Sequence, residues 1–382
     1  MKRDCCEIIL NHACDLRCGF CSQADFNSAA LMQPAAAVRH IYAARKAGFT
    51  RLGFSGGEAL LRRDLPLLVR AAREVGFKAV RLQTNGMRLA SRQAAARLVE
   101  AGLTVCKFTF AGHTPALHDK LVGKPGAFEK SLAGLENMLR LKAAVGINLL
   151  ITAANYKSLP RTLKFFMDRG VANFVLIYPI YTGAMARAAA LQVSLPAAAP
   201  FIVKALRLAG EAGLGREVKA LNVPPCLLPG YESRAAGLYK FNTVVVAASG
   251  EARDLDTCTA ADRLQGPPCA RCFFKKTCRG VDGKYLEIFG WKGIAPVRGK
   301  PRPAPETAGP RLTNNEKCFL EVLRGGKTLT TAQVLKAAKT VPLCYDCSDG
   351  NSVLVTGQAL VKKGLIERRF GAGVYSWRLK HA

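Results

Sequence analysis

Short apolar runs alternate with longer stretches of helical period along the first half of the chain. Cys6–Asn11 reads as a strand, and an amphipathic helix follows at Pro34–Ala47. Arg51–Ser55, Ala79–Thr84 and Val105–Phe110 are the next strands, with helices at Leu65–Val75 and Ser91–Ala101 between them. Helices at Phe128–Ala144 and Leu159–Arg169 precede strands at Ile147–Thr152 and Asn173–Pro179, and Ala197–Ala212 is a last helix. Strands that are largely apolar and separated by helices predict a parallel sheet with right-handed crossovers. Six such units predict an α/β fold, a partial (β/α)6 barrel of the TIM type, whose active site would lie at the C-terminal strand ends.

The pattern breaks near residue 220. Residues 221–295 are rich in Cys, Gly and Pro, with one hairpin signal, Asn242–Ala247 and Glu251–Asp254 around Ala248-Ser249-Gly250. The Pro/Gly/Arg stretch at 296–310 reads as a linker. Beyond it, 311–382 holds helices and ends in Gln358–Gly364 followed by two short strands around Gly371-Ala372-Gly373, the outline of a winged-helix-like domain. The expected domains are therefore 1–220, 221–295 and 311–382, joined by that linker.

Composition changes this picture in two ways. Fourteen cysteines without an export signal argue for reduced thiols and metal rather than disulfides, so a cytoplasmic protein is expected. No segment supplies the ~18 apolar residues of a membrane span. Lys and Arg number 56 against 27 Asp and Glu, a net charge of +29 spread through the chain, which favours anionic partners and keeps nucleic acid open as one.

The cysteines fall in groups. Cys14, Cys18 and Cys21 lie on one short segment just after the first strand, in the order C-x3-C-x2-C. Three thiolates suit three corners of an iron–sulfur cube, and no fourth cysteine follows to close the last iron. Zinc sites prefer paired CxxC units, which this spacing is not. A second group, Cys269-Ala-Arg-Cys272 and then Cys278 after five intervening residues, offers another soft-metal set, with zinc as the competing occupant. Cys344 and Cys347 form an unpaired CxxC that stays unassigned, and Cys5 and Cys6 read as packing residues.

The first group resembles the signature of the radical S-adenosylmethionine (SAM) superfamily, with Phe20 as the aromatic residue before the last cysteine. The resemblance runs on. Gly56-Gly57-Glu58 after the second strand is similar to the family's GGE element, in which glycines allow close approach and the acid meets the SAM ammonium. Thr84-Asn85-Gly86 resembles a TNG that borders the SAM site. Thr109-Phe110-Ala111-Gly112, with His118-Asp119 and Gly126-Ala127-Phe128 beyond, looks like a further family stretch. There Thr109 replaces a serine and Ala111 an acid. Phe20, Gly56, Gly57, Glu58, Thr84, Asn85 and Thr109 are thus the implied cofactor-binding residues, and Cys14, Cys18 and Cys21 the implied metal ligands. His118 and Asp119 read as helix-start residues, and no catalytic acid or base is singled out.

Cys269, Cys272 and Cys278 look like the SPASM or twitch extension of that superfamily. The resemblance implies one auxiliary [4Fe-4S] cluster completed by a distant cysteine, Cys226 in the first place and Cys258 in the second. It implies reductive cleavage of SAM to a 5′-deoxyadenosyl radical that abstracts hydrogen from a substrate, with electrons from a ferredoxin or flavodoxin. A peptide or protein is the expected substrate, with a small molecule or RNA as alternatives. The non-enzyme alternative is an iron–sulfur redox sensor that reads DNA.

Overall fold

Sequential strands settle side by side here. The computed structural model describes residues 4–304, 312–323, 328–338, 349–371 and 373–380. Within the barrel region the elements are β1 (Cys5–Ile9), α1 (Pro34–Lys46), β2 (Arg51–Ser55), α2 (Leu65–Glu74), β3 (Ala79–Thr84), α3 (Arg92–Glu100) and β4 (Val105–Phe110). They continue with α4 (Pro115–Val122), α5 (Ala127–Arg140), β5 (Ala144–Leu150), α6 (Leu159–Met167), β6 (Asn173–Ile177), α7 (Ala184–Arg187), α8 (Leu195–Glu211) and β7 (Val218–Leu221). The Cys-rich region adds β8 (Thr243–Val246), β9 (Ala252–Asp254), α9 (Leu255–Ala261), β10 (Arg263–Leu264), β11 (Val281–Asp282) and α10 (Gly283–Phe289).

The main sheet runs β7-β6-β5-β4-β3-β2-β1-β8-β9. Strands β1 to β7 are neighbours in chain order and all parallel, so each crossover steps one place the same way. A doubly wound sheet would reverse direction midway. This order therefore fits a partial barrel. It differs from six units in one respect: the short strand β7, only Val218–Leu221, extends the parallel series to seven. Its four residues sit after a turn and carry no clear apolar run, which hides them from periodicity.

Local chemistry explains the elements. Helix α1 starts on Pro34, whose missing N–H costs nothing in a first turn, and buries Ala37, Ile41 and Ala44 at helical spacing. Ser91 caps α3 by accepting from the Ala94 N–H. In β3 and β4 burial alternates. Val80 and Leu82, with Cys106, Phe108 and Phe110, are fully buried. Phe110 meets His118 of α4 and Phe128 of α5, so this face packs on the helices. Each such Leu or Phe contributes about 1.5–3 kcal/mol. The half-buried partners Arg81, Gln83, Lys107 and Thr109 take the inner face of the sheet.

The β8–β9 hairpin forms as the Ala248-Ser249-Gly250 turn predicts, and β8 pairs with β1 in parallel. The Cys-rich region thus shares the barrel's sheet. By contacts, one compact unit comprises Met1–Phe165, Val171–Gly210 and Leu214–Glu306, and a second is built on Thr307–Ala382.

The second unit contains α11 (Asn314–Val322), β12 (Leu329–Thr330), α12 (Thr331–Ala338), α13 (Gly350–Lys362), β13 (Ile366–Gly371) and β14 (Val374–Leu379). Thr313 and Glu316 form a reciprocal capping box at the start of α11. The three strands pair antiparallel in the order β12-β14-β13. Phe319, Leu323, Val334, Val353, Leu360, Ile366 and Trp377 make its core. Cys344 and Cys347 lie outside the described residues. No described helix is long and apolar enough to cross a membrane.

Candidate active site

The segment that leaves β1 lies directly on the loop that leaves β2. Gly57 N–H donates to the Asn11 carbonyl and Glu58 N–H to the Ala13 carbonyl, both at 2.8 Å. A Cβ on Gly56 would stand 2.5 Å from the Asn11 oxygen, and one on Gly57 2.3 Å from the Ala13 oxygen. Only glycine fits at either position. The close approach expected of these glycines is therefore made first of all to the chain's own backbone, the stretch that delivers Cys14.

Glu58 is fully buried, at 0% exposure. Its Oε1 accepts from Leu60 N–H at 2.9 Å and Thr84 Oγ1 at 2.8 Å, and its Oε2 from Asn85 N–H at 2.7 Å. These donors favour the ionised form, yet burial outweighs them and pushes the carboxyl up to about 7. Three of roughly four acceptor sites on a carboxylate are taken, which leaves one on Oε2. Thr84 and Asn85, expected at the rim of a ligand site, thus also lock the end of β3 onto Glu58.

Asn85 extends the lock to the cysteine loop. Its Nδ2 donates to Asp15 Oδ1 at 2.8 Å, between the first two cysteines. Lys124 Nζ donates to the Asp15 carbonyl at 3.0 Å, and Arg88 stands 3.9 Å from its carboxylate. Arg17 and Gly19 N–H donate to the Val122 and Leu121 carbonyls at the end of α4, and Cys21 O accepts from Ala184 N–H at 2.9 Å. The loop is fixed from three sides. Asp15 and Lys124 were not visible as site residues in the sequence. Asp15 sits inside the C-x3-C spacing, but nothing marks Lys124, which arrives from a distant helix end.

Cys14 is exposed, Cys18 and Cys21 are half-buried, and all three are free thiols. Burial pushes Cys14 up to about 11 and raises Cys18, and the neighbouring thiols of the loop add to both shifts. Three thiols on one short loop are a donor set that fits a soft metal or an iron–sulfur cluster, which takes cysteines as thiolates. Phe20 is buried beside them and Thr109 is half-buried on β4, in register with Asn148. His118 accepts from Ala111 N–H at 3.2 Å, and Asp119 accepts from Gly126 and Phe128 N–H at 2.6 and 2.7 Å. This pair braces the end of β4 and caps α5. Tyr178 and Tyr181, both buried, bond to each other at 2.6 Å and belong to the packing of α8 and α10.

The second cysteine group surrounds a small pocket. Cys226, Cys269, Cys272 and Cys278 all line it, with Phe274, Val281 and Ile294 as apolar walls. Burial, then the Cys278, Cys272 and Cys269 thiols in that order, pushes Cys226 up to about 12. Cys258 stands exposed on α9 and does not line this pocket. Among the described residues no three His, Cys, Asp or Glu converge closely enough for a single metal ion.

The radical SAM superfamily profile matches residues 8–166. Fe-coproporphyrin III synthase of Methanosarcina barkeri is 34% identical over 130 residues, 34% of this chain and 32% of that protein. Pre-heme d1 synthase of Dinoroseobacter shibae is 32% identical over 176 residues, 46% of this chain and 43% of that protein. The matches thus span less than half the length of these curated relatives. Streptococcus suis SuiB, solved with its precursor peptide SuiA, superposes with a TM-score of 0.57 at 15% identity, over 78% of this chain and 75% of SuiB. That likeness is one of fold. The family implies a [4Fe-4S] cluster and SAM, and its synthases mark the relatives as enzymes. Over residues 8–166, less than half of its length, the chain matches the radical SAM superfamily.

Proposed function

We propose that this chain cleaves SAM reductively and takes a hydrogen atom from a peptide or protein substrate. One observation carries the reading: three free thiols share a loop that Asp15, Asn85 and Glu58 tie to the ends of β2 and β3. Cys14, Cys18 and Cys21 hold the cluster, which, when bound with SAM and reduced by a ferredoxin or flavodoxin, supplies the 5′-deoxyadenosyl radical. Gly56, Gly57, Glu58, Thr84, Asn85, Phe20 and Thr109 border the SAM position. Glu58 offers its remaining acceptor site to the ammonium, and the surrounding strand ends exclude water from the reacting centre.

The pocket among Cys226, Cys269, Cys272 and Cys278 is our site for an auxiliary [4Fe-4S] cluster in a SPASM- or twitch-like extension. A peptide substrate is supported by the fold shared with SuiB, which was solved with its precursor peptide, over 78% of this chain. The second unit, with helix, strand, two helices and two strands in order, has the sequence of elements of a winged helix, and we read it as the peptide-gripping part. Fourteen cysteines, most of them in metal-type groups, support a cytoplasmic location. The segments shared with the two synthases favour a small molecule instead. The basic charge keeps RNA as a further substrate class, whereas the match to an enzyme family leaves the sensor reading unsupported.

The test is anaerobic. Protein reconstituted with iron and sulfide, given dithionite and SAM, releases 5′-deoxyadenosine. Replacing Cys14, Cys18 or Cys21 by Ala lowers that release at least about 100-fold, since an incomplete thiolate set loses the cluster. Intact SAM in the wild-type reaction would sink the proposal.

A further inference from the structure

Arg263 on β10 ties together the two segments that deliver the second cysteine group. Its Nη2 donates to Asn222 Oδ1 at 2.6 Å, shortly before Cys226, and its Nη1 to the Gly280 carbonyl at 3.4 Å, just after Cys278. Asn222 takes a φ of 62° and donates from Nδ2 to the Tyr178 carbonyl at 2.9 Å, which leaves its side-chain oxygen for Arg263. Gly280 has a φ of 93°, and a Cβ there would stand 1.9 Å from the Leu264 carbonyl oxygen. Only glycine lets β10 pass this close to the turn behind Cys278.

Cys278 lines both the cysteine pocket and a neighbouring one, which Asn222, Arg263 and Arg279 line as well. Gly280 N–H donates to Cys278 Sγ at 3.3 Å. The two arginines differ. Arg279 pairs with Asp256 at 2.9 Å, so its charge is met within the pair. Arg263 bonds to an amide oxygen and a carbonyl, and among the described residues no carboxylate lies within 4.0 Å of it. Asp282, its partner across β10 and β11, accepts instead from the Tyr285 N–H that starts α10. Burial raises the Cys278 thiol, while the Gly280 N–H and Arg263 act the other way and favour the thiolate. Lys275 also lines the cysteine pocket, but it is exposed, where water and salt screen its charge. Charges removed from water are paired. The anion that Arg263 faces is the cysteine set itself, once a metal has taken the thiol protons.

We infer that Arg263 is a positioning residue of the auxiliary site, whose charge holds the reduction potential of the [4Fe-4S] cluster there above that set by its thiolates alone. The inference rests on reading the four-cysteine pocket as that cluster's site. A cluster gains negative charge on reduction, so a fixed cation beside Cys278 stabilises the reduced form more than the oxidised one. Net charge, hydrogen bonds to sulfur and exposure set such potentials. Arg263 and Gly280 supply the first two at one cysteine. Held by Asn222 and Gly280, the guanidinium keeps its place at the site, and a cluster beside it takes up an electron more readily.

A redox titration of the reconstituted full-length protein, followed by electron paramagnetic resonance, tests this. Added SAM tells the two clusters apart, since it changes only the signal of the one on Cys14, Cys18 and Cys21. In Arg263→Gln the ratio of reduced to oxidised auxiliary cluster at a fixed potential falls at least about tenfold, or about 59 mV in the midpoint. Arg263→Lys restores the ratio to within about threefold, and Lys275→Gln, at the exposed cation, leaves it within about threefold. Because Arg263→Gln also loses hydrogen bonds, Asn222→Asp gives a second measure. It sets a carboxylate on the guanidinium in nearly the same shape and lowers the midpoint alike, whether or not the Gln variant keeps its iron. An unchanged midpoint in Asn222→Asp, no rescue by Arg263→Lys, or an equal fall in Lys275→Gln overturns the role of Arg263 and leaves the auxiliary cluster standing. Wild type with about four irons per chain and only the SAM-responsive signal removes that cluster and the inference with it.

Discussion

Glu58 is fully buried, and its three hydrogen bonds do not offset the loss of water, so its carboxyl rises from 4.5 to about 7. The folded chain therefore binds a proton between those pH values that the unfolded chain has released. The Glu58 contribution to stability is greatest below about 4.5, falls as pH rises through this window and levels off above about 7. The span amounts to about 3 kcal/mol. Urea midpoints of SAM-free protein from pH 4 to 8 should show this slope in wild type and lose it in Glu58→Gln; parallel profiles would mean the carboxyl is ionised throughout. At the other centre, Cys226→Ser should lower bound iron from about eight to about four per chain, whereas Cys258→Ser keeps it near eight. Metal analysis of reconstituted protein decides it, and the opposite pattern would move the fourth ligand to Cys258. In the sequence Cys258 stands much nearer the CxxC pair than Cys226 does, yet Cys226 is the first choice there. Only the pocket, where Cys226 meets three other thiols, separates them.

At the scale of elements, strands with an apolar outer face were the most legible. β2, β3 and β4 form over the same residues that their composition predicts, because β-branched and aromatic residues there bury against helices. β7 was missed, being four residues long and held mainly by pairing with β6. In the second unit, Trp377 on β14 is fully buried, packed edge-on against Phe319 of α11 at 5.5 Å and over Gly357 of α13. Trp377→Ala should cost that unit about 3–5 kcal/mol. Differential scanning calorimetry would record one transition moved to lower temperature, with 5′-deoxyadenosine release unchanged. A shift in every transition would show that the units unfold together.

Among the described residues the candidate chemistry lies in the first unit. The two cysteine groups and the GGE loop lie before residue 304, and the hairpin β8–β9 is part of the barrel's own sheet. A chain ending at residue 304 should therefore still cleave SAM in the dithionite assay within about threefold of the full-length rate. It should lose coupling to a peptide substrate if the second unit grips that peptide. Loss of SAM cleavage itself would show that the second unit supports the fold of the first.

Spacing and residue type alone determined the cluster loop, because three cysteines within eight residues leave few other uses for so many thiols in one turn of chain. Period alone determined the alternating barrel. Tertiary structure decided what the neighbouring motifs do. Gly56 and Gly57 accommodate the Asn11–Ala13 backbone, and Glu58 spends most of its hydrogen-bonding capacity on β3. It also decided which distant residues join them, Lys124 at Asp15 and Cys226 at the second pocket. The reason is physical: local pattern fixes a strand and the loop that leaves it, but partners far apart in the chain meet only when the sheet has set the order of its strands.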